Sequence, residues 1–198
     1  MSVVAIRQWC DADLEPCAAL NADLEVMRYF PSPLTREESD ALVERQRSLI
    51  DSRGWGLWAV EIDGAFAGFT GLAVPSFEAS FMPCVEIGWR IARRFWGQSI
   101  AYRAAVLALS YGFDTLKLVE IVSFTAAVNS RSTRLMERLG FARDQHGDFF
   151  HPRIDRSHEL SRHVLYRKRP NQSPEPTPTS VTPRACARVA PAAVVAHL

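Results

Sequence analysis

An α+β fold with a mixed sheet is what the sequence predicts, on three observations. Two β-rich runs, Trp55 to Ile62 and Ala65 to Val74, flank Asp63-Gly64. An Asp-Gly pair between such runs is a strong hairpin signal. An apolar run, Met82 to Ala92, leads through a short basic turn into a helical pattern, Ala101 to Phe113. A second strand-then-helix pair follows, Val119 to Thr125 and the apolar-periodic stretch opened by Asn129.

The elements follow in chain order. Val3 to Trp9 reads as a first strand. Asp11 is placed to cap a helix running through Leu14, Cys17, Ala18 and Leu20. Thr35-Arg36-Glu37-Glu38 is a capping-box pattern, so a second helix starts there and carries Ala41, Leu42 and Leu49. The hairpin and the Met82 to Ala92 run are the next three strands. Ile100, Ala104, Leu107, Ala108 and Tyr111 form one apolar face of the third helix. In the fourth, Leu135, Met136 and Leu139 share a face, with Asn129 suited to the N-cap and Gly140 to the C′ position. Phe141 starts a strand, His146 to Arg162 is a polar segment without a clear assignment, and His163 to Arg167 reads as the last strand.

The bulk numbers exclude several classes. The 198 residues suffice for one domain with a proper core. A formal net charge of +1 argues against nucleic acid and anionic membranes as partners. No apolar run is long enough to span a bilayer, and Met1 to Arg7 lacks the pattern of a secretory signal. Cys10, Cys17, Cys84 and Cys186 lie far apart without metal-ligand spacing, which favours a reducing cytoplasm, with Cys84 a small buried hydrophobe. His146, His151, His158 and His163 share the polar segment, but no helical His pair or nucleophile elbow accompanies them, so no metal is expected. From Asn171 the chain turns Pro- and Ala-rich. Residues 1–170 are therefore expected to form the domain and 171–198 a disordered tail.

The most informative stretch is Arg93-Arg94-Phe95-Trp96-Gly97-Gln98-Ser99-Ile100-Ala101. A strand, a glycine-bearing basic turn and a helix start make a ready anion site, because first-turn N–H groups have no intrahelical partner. Gly97 lacks a Cβ and admits a diphosphate close to the backbone. The bland reading is a tight connection. Arg94-Phe95-Trp96-Gly97-Gln98-Ser99 resembles the acyl-CoA pyrophosphate loop of the GNAT N-acetyltransferase superfamily, Gln/Arg-x-x-Gly-x-Gly/Ala. Asn129-x-x-Ser132 before Leu139-Gly140-Phe141 resembles the later CoA-contacting segment. The aromatic-Trp-Gly-Gln wording is similar to the ribosomal-protein alanine acetyltransferase branch, from which Ser99 and Arg103 depart.

The resemblance implies a GNAT fold, mostly antiparallel with flanking helices, over Val3 to about Arg169. It implies acetyl-CoA as co-substrate. The backbone of Gly88, Trp89, Arg90, Ile91 and Ala92 would meet the pantetheine. Arg94, Trp96, Gly97, Gln98, Ser99, Ile100 and Ala101 would meet the diphosphate, with Asn129 and Ser132 as further contacts. Strand alternation puts Val85, Ile87, Trp89 and Ile91 on one face and Cys84, Glu86, Gly88 and Arg90 on the other. Glu86 therefore points away from the core set and is the candidate base, against a salt bridge to Arg90 as the structural alternative. Where many relatives carry an acidic tyrosine, this chain has Met136, which cannot donate a proton. Ser132 is the candidate to assist the thiolate, against a plain first-turn role. Trp55, Trp58, Phe77 and Phe81 are candidates for the acceptor side. The expected activity is direct acetyl transfer to a primary amine, a protein N-terminus or a small molecule, with a homodimer as an open option. A non-catalytic acyl-CoA sensor is the alternative.

Overall fold

The computed structural model describes residues 2–170, so the expectation of a disordered tail over 171–198, and Cys186 with it, lies outside the described residues. β1 (Val4–Arg7) is followed by α1 (Leu14–Ala22) and α2 (Arg36–Arg53). β2 (Leu57–Ile62), β3 (Ala65–Ala73) and β4 (Glu86–Ile91) then precede α3 (Ile100–Ser110). β5 (Ile121–Ala126), α4 (Ser130–Arg138), β6 (Ala142–Phe150) and β7 (Arg162–Lys168) complete the order. The seven strands form one sheet in the order β1-β2-β3-β4-β5-β7-β6. Every neighbouring pair is antiparallel except β4 and β5. The predicted mixed sheet is thus present, with its single parallel junction in the middle.

Local chemistry accounts for most element ends. The Thr35 hydroxyl accepts from the Glu38 N–H at 3.2 Å, and the Glu38 carboxylate accepts from the Thr35 N–H at 2.8 Å. This reciprocal cap starts α2 as expected. Asp63 and Gly64 both adopt positive φ, which the two-residue turn of the β2–β3 hairpin requires. The Asn129 side chain accepts from the Ser132 N–H at 3.2 Å and caps α4. Gly140, at φ 80°, ends it.

At α1 the expectation needs correcting. A 3-10 turn, Asp11–Asp13, precedes the helix, and Asp13 rather than Asp11 is the organising acid. Its buried carboxylate accepts from the Cys10 N–H at 2.9 Å and from both terminal nitrogens of Arg7. Asp11 instead pairs with Arg47 on α2 at 2.9 Å. Two further expectations change. Cys84 is only partly buried and precedes β4. The polar segment is strand through Phe150, because β6 continues past a register shift between Asp144 and Phe149.

Two apolar clusters cover the two faces of the sheet. α3 packs across β1, β3 and β4 and buries Ile100, Ala104 and Ala108 against Ile87 and Ile91. The other cluster joins Cys17 and Leu20 of α1 and Val43 of α2 to Phe66 and Phe69 of β3. α1 and α2 thus sit over the face to which Glu86 and Arg90 belong. Nothing in the described residues is a helix long and apolar enough to cross a membrane.

Candidate active site

The parallel junction is where the sheet opens. β4 and β5 share one registered pair, Glu86↔Val122, supported by the Val122 N–H donating to the Val85 carbonyl at 2.9 Å. One residue pair further, the contact is made by a side chain: Ser123 Oγ donates to the Ile87 carbonyl at 3.0 Å. Backbone pairing on the other side of β4 continues to the Ala92 N–H, which bonds Ala67 O. Successive residues of a strand turn their backbone groups to opposite neighbours. The Trp89 N–H and C=O therefore face the gap beyond Ile87, where an extended ligand can add as a strand.

A cleft of about 1420 Å³ runs through this opening. Its lining includes Glu86, Gly88, Trp89, Arg90 and Ile91 of β4. It continues past Trp96, Gly97 and Ser99 to Ile100 and Ala101 at the start of α3, and includes Asn129 and Ser132 at the start of α4. The residues singled out from sequence are thus brought together around one space. Ala92, Arg94 and Gln98 are placed elsewhere. Ala92 and Arg94 border a separate, smaller groove, and Arg94 Nη2 donates to the Phe66 carbonyl at 3.1 Å. Gln98 turns its amide back to the Arg94 carbonyl at 3.0 Å.

The turn before α3 is open toward a ligand. Gly97 sits at φ 76°, and a Cβ there would meet nothing within 4 Å. A Cβ on Gly88 would likewise enter open space. Both positions leave room that a side chain would fill, which fits a diphosphate and a pantetheine arm. Ser99 adopts a left-handed conformation, φ 57°, and its hydroxyl does not cap α3. Instead it accepts from Arg138 Nη1 at 3.1 Å. Arg138 also lies over the Tyr102 ring at 4.2 Å, and Arg131 over Trp96 at 4.4 Å. The Trp96 indole is fixed by donation to the Ile91 carbonyl at 2.7 Å. Two guanidiniums of α4 therefore stand beside the helix start, a contribution that local sequence spacing did not reveal.

Glu86 is partly buried at the mouth of the junction, and no hydrogen-bond or ion-pair partner for its carboxylate occurs among the described residues. The expected alternative of a salt bridge to Arg90 is absent: Arg90 Nη1 donates to Asn21 Oδ1 at 2.5 Å and stacks over the Phe30 ring at 4.2 Å. Burial disfavours the charged carboxylate and pushes Glu86 up to about 7. On α4, Met136 is fully buried in the core, while Ser132 and Leu135, three residues apart, face the cleft.

One end of the cleft borders a cluster of rings, of which Phe77, Phe124, His151 and His163 line it and Phe81 and Phe149 do not. Phe77, Phe81, Phe124 and Phe149 pack at centroid separations of 5.0 to 6.0 Å, mostly edge to face. His151 and His163 join them, 5.0 Å apart, and burial lowers both, His163 to about 4. Both imidazoles are neutral at physiological pH. Arg153 ties this segment to the loop after β3 through the carbonyl and hydroxyl of Ser76. The segment after β6 thus borders this end of the cleft, with His151, Arg153 and Ile154 among its lining. Trp58 does not line the cleft: it is a core residue, 2% exposed. Trp55 packs on the core under Arg53. No group of three or more metal-ligating side chains occurs among the described residues.

Comparison with known proteins identifies the family and the fold. The acetyltransferase (GNAT) domain family matches residues 4–142. An FsC-acetyl coenzyme A-N(2)-transacetylase of Aspergillus fumigatus is 33% identical over 128 residues, 61% of this chain and 54% of that protein. The match therefore spans little more than half of that relative. Among solved structures, a GNAT-family acetyltransferase of Bacillus anthracis superposes with a TM-score of 0.66 at 24% identity, covering 84% of this chain and 94% of that one. A Vibrio cholerae spermidine N-acetyltransferase, in complex with CoA and spermine, superposes with a TM-score of 0.66 at 22% identity, covering 84% and 95%. These last two likenesses concern the fold.

Proposed function

The chain belongs to the GNAT acetyltransferase family, whose members are acetyl-CoA-dependent N-acetyltransferases, and from that premise we propose that it moves the acetyl group of acetyl-CoA directly onto a primary amine. The acceptor is a small amine or a protein N-terminus. The likeness of the Trp96-Gly97-Gln98 stretch to the ribosomal-protein alanine acetyltransferases supports the N-terminal reading. The observation that carries the proposal is Glu86, an unpartnered carboxyl poised near neutrality, beside the one place where the sheet splits.

Roles follow from placement. The Trp89 backbone and the space at Gly88 receive the pantetheine arm. Gly97, the first-turn N–H groups of α3 and the α4 arginines hold the diphosphate. Asn129 fixes the start of α4, where Ser132 stands. An amine must lose a proton to become a nucleophile, and Glu86 accepts it through a water. The amine nitrogen bonds the acetyl carbon as the carbon–sulfur bond breaks. The Ser132 hydroxyl, in the first turn of a helix, donates to the departing sulfur. Holding both partners in one cleft supplies the entropic part of the acceleration.

A coupled thiol-release assay with acetyl-CoA across peptides and small amines tests this. Turnover with at least one primary amine is expected. Acetyl-CoA binding without thiol release from any acceptor would leave a sensor instead.

A further inference from the structure

Arg90 stands at the ring-lined end of the cleft, where the acceptor is placed, and its charge meets no acid among the described residues. Several other arginines of this protein face acids. Arg7 reaches Asp13 and Glu61, each at 2.6 Å, and Arg167 reaches Asp144 and Glu120, each at 2.7 Å. Arg90 has no carboxylate within ion-pair distance among the described residues. Its Nε is buried without a hydrogen-bond partner. Its partners are neutral: the Asn21 amide oxygen and the faces of Phe30 and Phe69 at 4.2 and 5.1 Å. Asn21 is itself fully buried and held by its amide donating to Ser39 Oγ at 2.8 Å, so the guanidinium is fixed in place. Burial pulls Arg90 down to about 10, which leaves it charged at neutral pH. A partly buried, fixed and unpaired cation is costly unless something supplies the opposite charge.

The surroundings say what does. Arg90 lines the cleft on the same face of β4 as Glu86, four residues and roughly 13 Å away along the strand, with the open space of Gly88 between them. That face looks toward α1 and α2, whereas the diphosphate turn lies past the end of β4. Arginines outnumber acids along the cleft by six to two, and one of the two acids is Glu86. A polycation would meet repulsion here. A molecule with one amine and one anionic group would meet Glu86 and Arg90.

We propose that the acceptor is a primary amine that also carries an oxyanion, a carboxylate or a phosphate, and that Arg90 reads that group. The proposal rests on the acetyltransferase reading above and narrows its acceptor. A guanidinium suits either oxyanion because its donors form a planar fork. Tyr29, Phe30, Phe77 and Phe124 line the same cleft and favour an apolar body.

Matched acceptors test it. L-phenylalanine is compared with 2-phenylethylamine, and O-phosphoethanolamine with ethanolamine, each by thiol release; spermidine completes the panel. The oxyanion member of at least one pair is expected to show kcat/KM at least about tenfold above its neutral match, and which pair responds distinguishes carboxylate from phosphate. Arg90→Met should bring that ratio close to one, and Arg90→Lys should keep part of it. Calorimetry with 3-phenylpropanoate and with phenyl phosphate needs neither turnover nor a variant. Binding of either by the unmodified protein is expected, and 2-phenylethanol should not bind. Ratios near one, a ratio that survives Arg90→Met in a cooperatively melting protein, spermidine as the best acceptor, or no binding of either oxyanion would each overturn the inference. Absence of an acetyl-CoA melting shift and of thiol release from every acceptor would instead overturn the acetyltransferase reading, while the calorimetry still decides on Arg90.

Discussion

At the end of the cleft proposed to hold the diphosphate, what is offered to a ligand is mainly backbone from one continuous stretch, Trp96 to Ala101, opened by a glycine at φ 76°. At the acceptor end the ligand meets side chains from separate parts of the chain: Tyr29 and Phe30 after α1, Glu86 and Arg90 on β4, Phe124 on β5, and His151 and Arg153 after β6. In the proposed reading the first end binds through a local conformation and a helix terminus. In the same reading the second binds through groups that only the folded sheet brings together. Backbone recognition is generic and suits a co-substrate common to a family. Side-chain recognition is particular and suits an acceptor that differs between members.

The comparison breaks most easily at Gly97. Gly97→Val forces a β-branched residue into positive φ and fills the space that the diphosphate needs. Acetyl-CoA affinity should fall by roughly a hundredfold or more, and the melting shift of about 2.7 kcal/mol expected at a hundred times the dissociation constant should largely vanish. An unchanged shift would show that the turn is not the anion site.

Glu86→Gln sharpens the other end. General-base help is worth on the order of a hundredfold or more, so turnover should drop at least about tenfold while acetyl-CoA affinity stays nearly constant. The unmodified enzyme should gain activity as pH rises through about 7, where Glu86 loses its proton. The variant should lose that limb. The same carboxyl carries a stability signature of opposite direction. Its folded pKa lies above the unfolded value, so the folded state holds an extra proton between roughly pH 4.5 and 7. Stability therefore declines as pH rises across that window, and the full penalty is present above it. Glu86→Gln should raise the melting temperature at pH 8 more than at pH 5. The gain is at most roughly 2–3 kcal/mol and is reduced by the buried amide. Calorimetric melts at the two pH values read this directly.

Smaller effects separate the remaining contacts. Arg138→Met removes the guanidinium beside Ser99 and should raise the KM for acetyl-CoA by roughly three- to tenfold with little change in kcat. Ser132→Ala should lower kcat by a few-fold, since water and the helix terminus replace part of its donation; a loss as large as that of Glu86→Gln would make the hydroxyl indispensable. Truncation after Pro170 should change neither melting temperature nor acetyl-CoA affinity appreciably. A large loss of either would assign the Pro- and Ala-rich segment a docking role.

Much of this protein was determined by short stretches acting alone. The box at Thr35, the Asp63-Gly64 turn and the caps at Asn129 and Gly140 are set by residues within a few positions, so their identity is enough. The diphosphate turn is of the same kind. The strand phase of Glu86 follows from alternation, and the fold keeps it. Asp13 shows where this reach ends. Asp11 and Asp13 are equivalent as local helix starters, and the choice fell to Arg7, six residues earlier, and Arg47, on another helix. Tertiary structure alone decided that β4 and β5 part after one registered pair, that Arg94 turns to Phe66, and that Ser132 and Leu135 rather than Met136 face the cleft. It also set Arg90 against Asn21, 69 residues away, and brought Phe77, Phe124, His151 and His163 into one wall. These outcomes depend on which faces become buried together, and desolvation of a carboxyl or a guanidinium is a property of the whole packed environment. No window of sequence contains that environment, because the groups that exclude water from Glu86 and Arg90 come from distant elements of the chain.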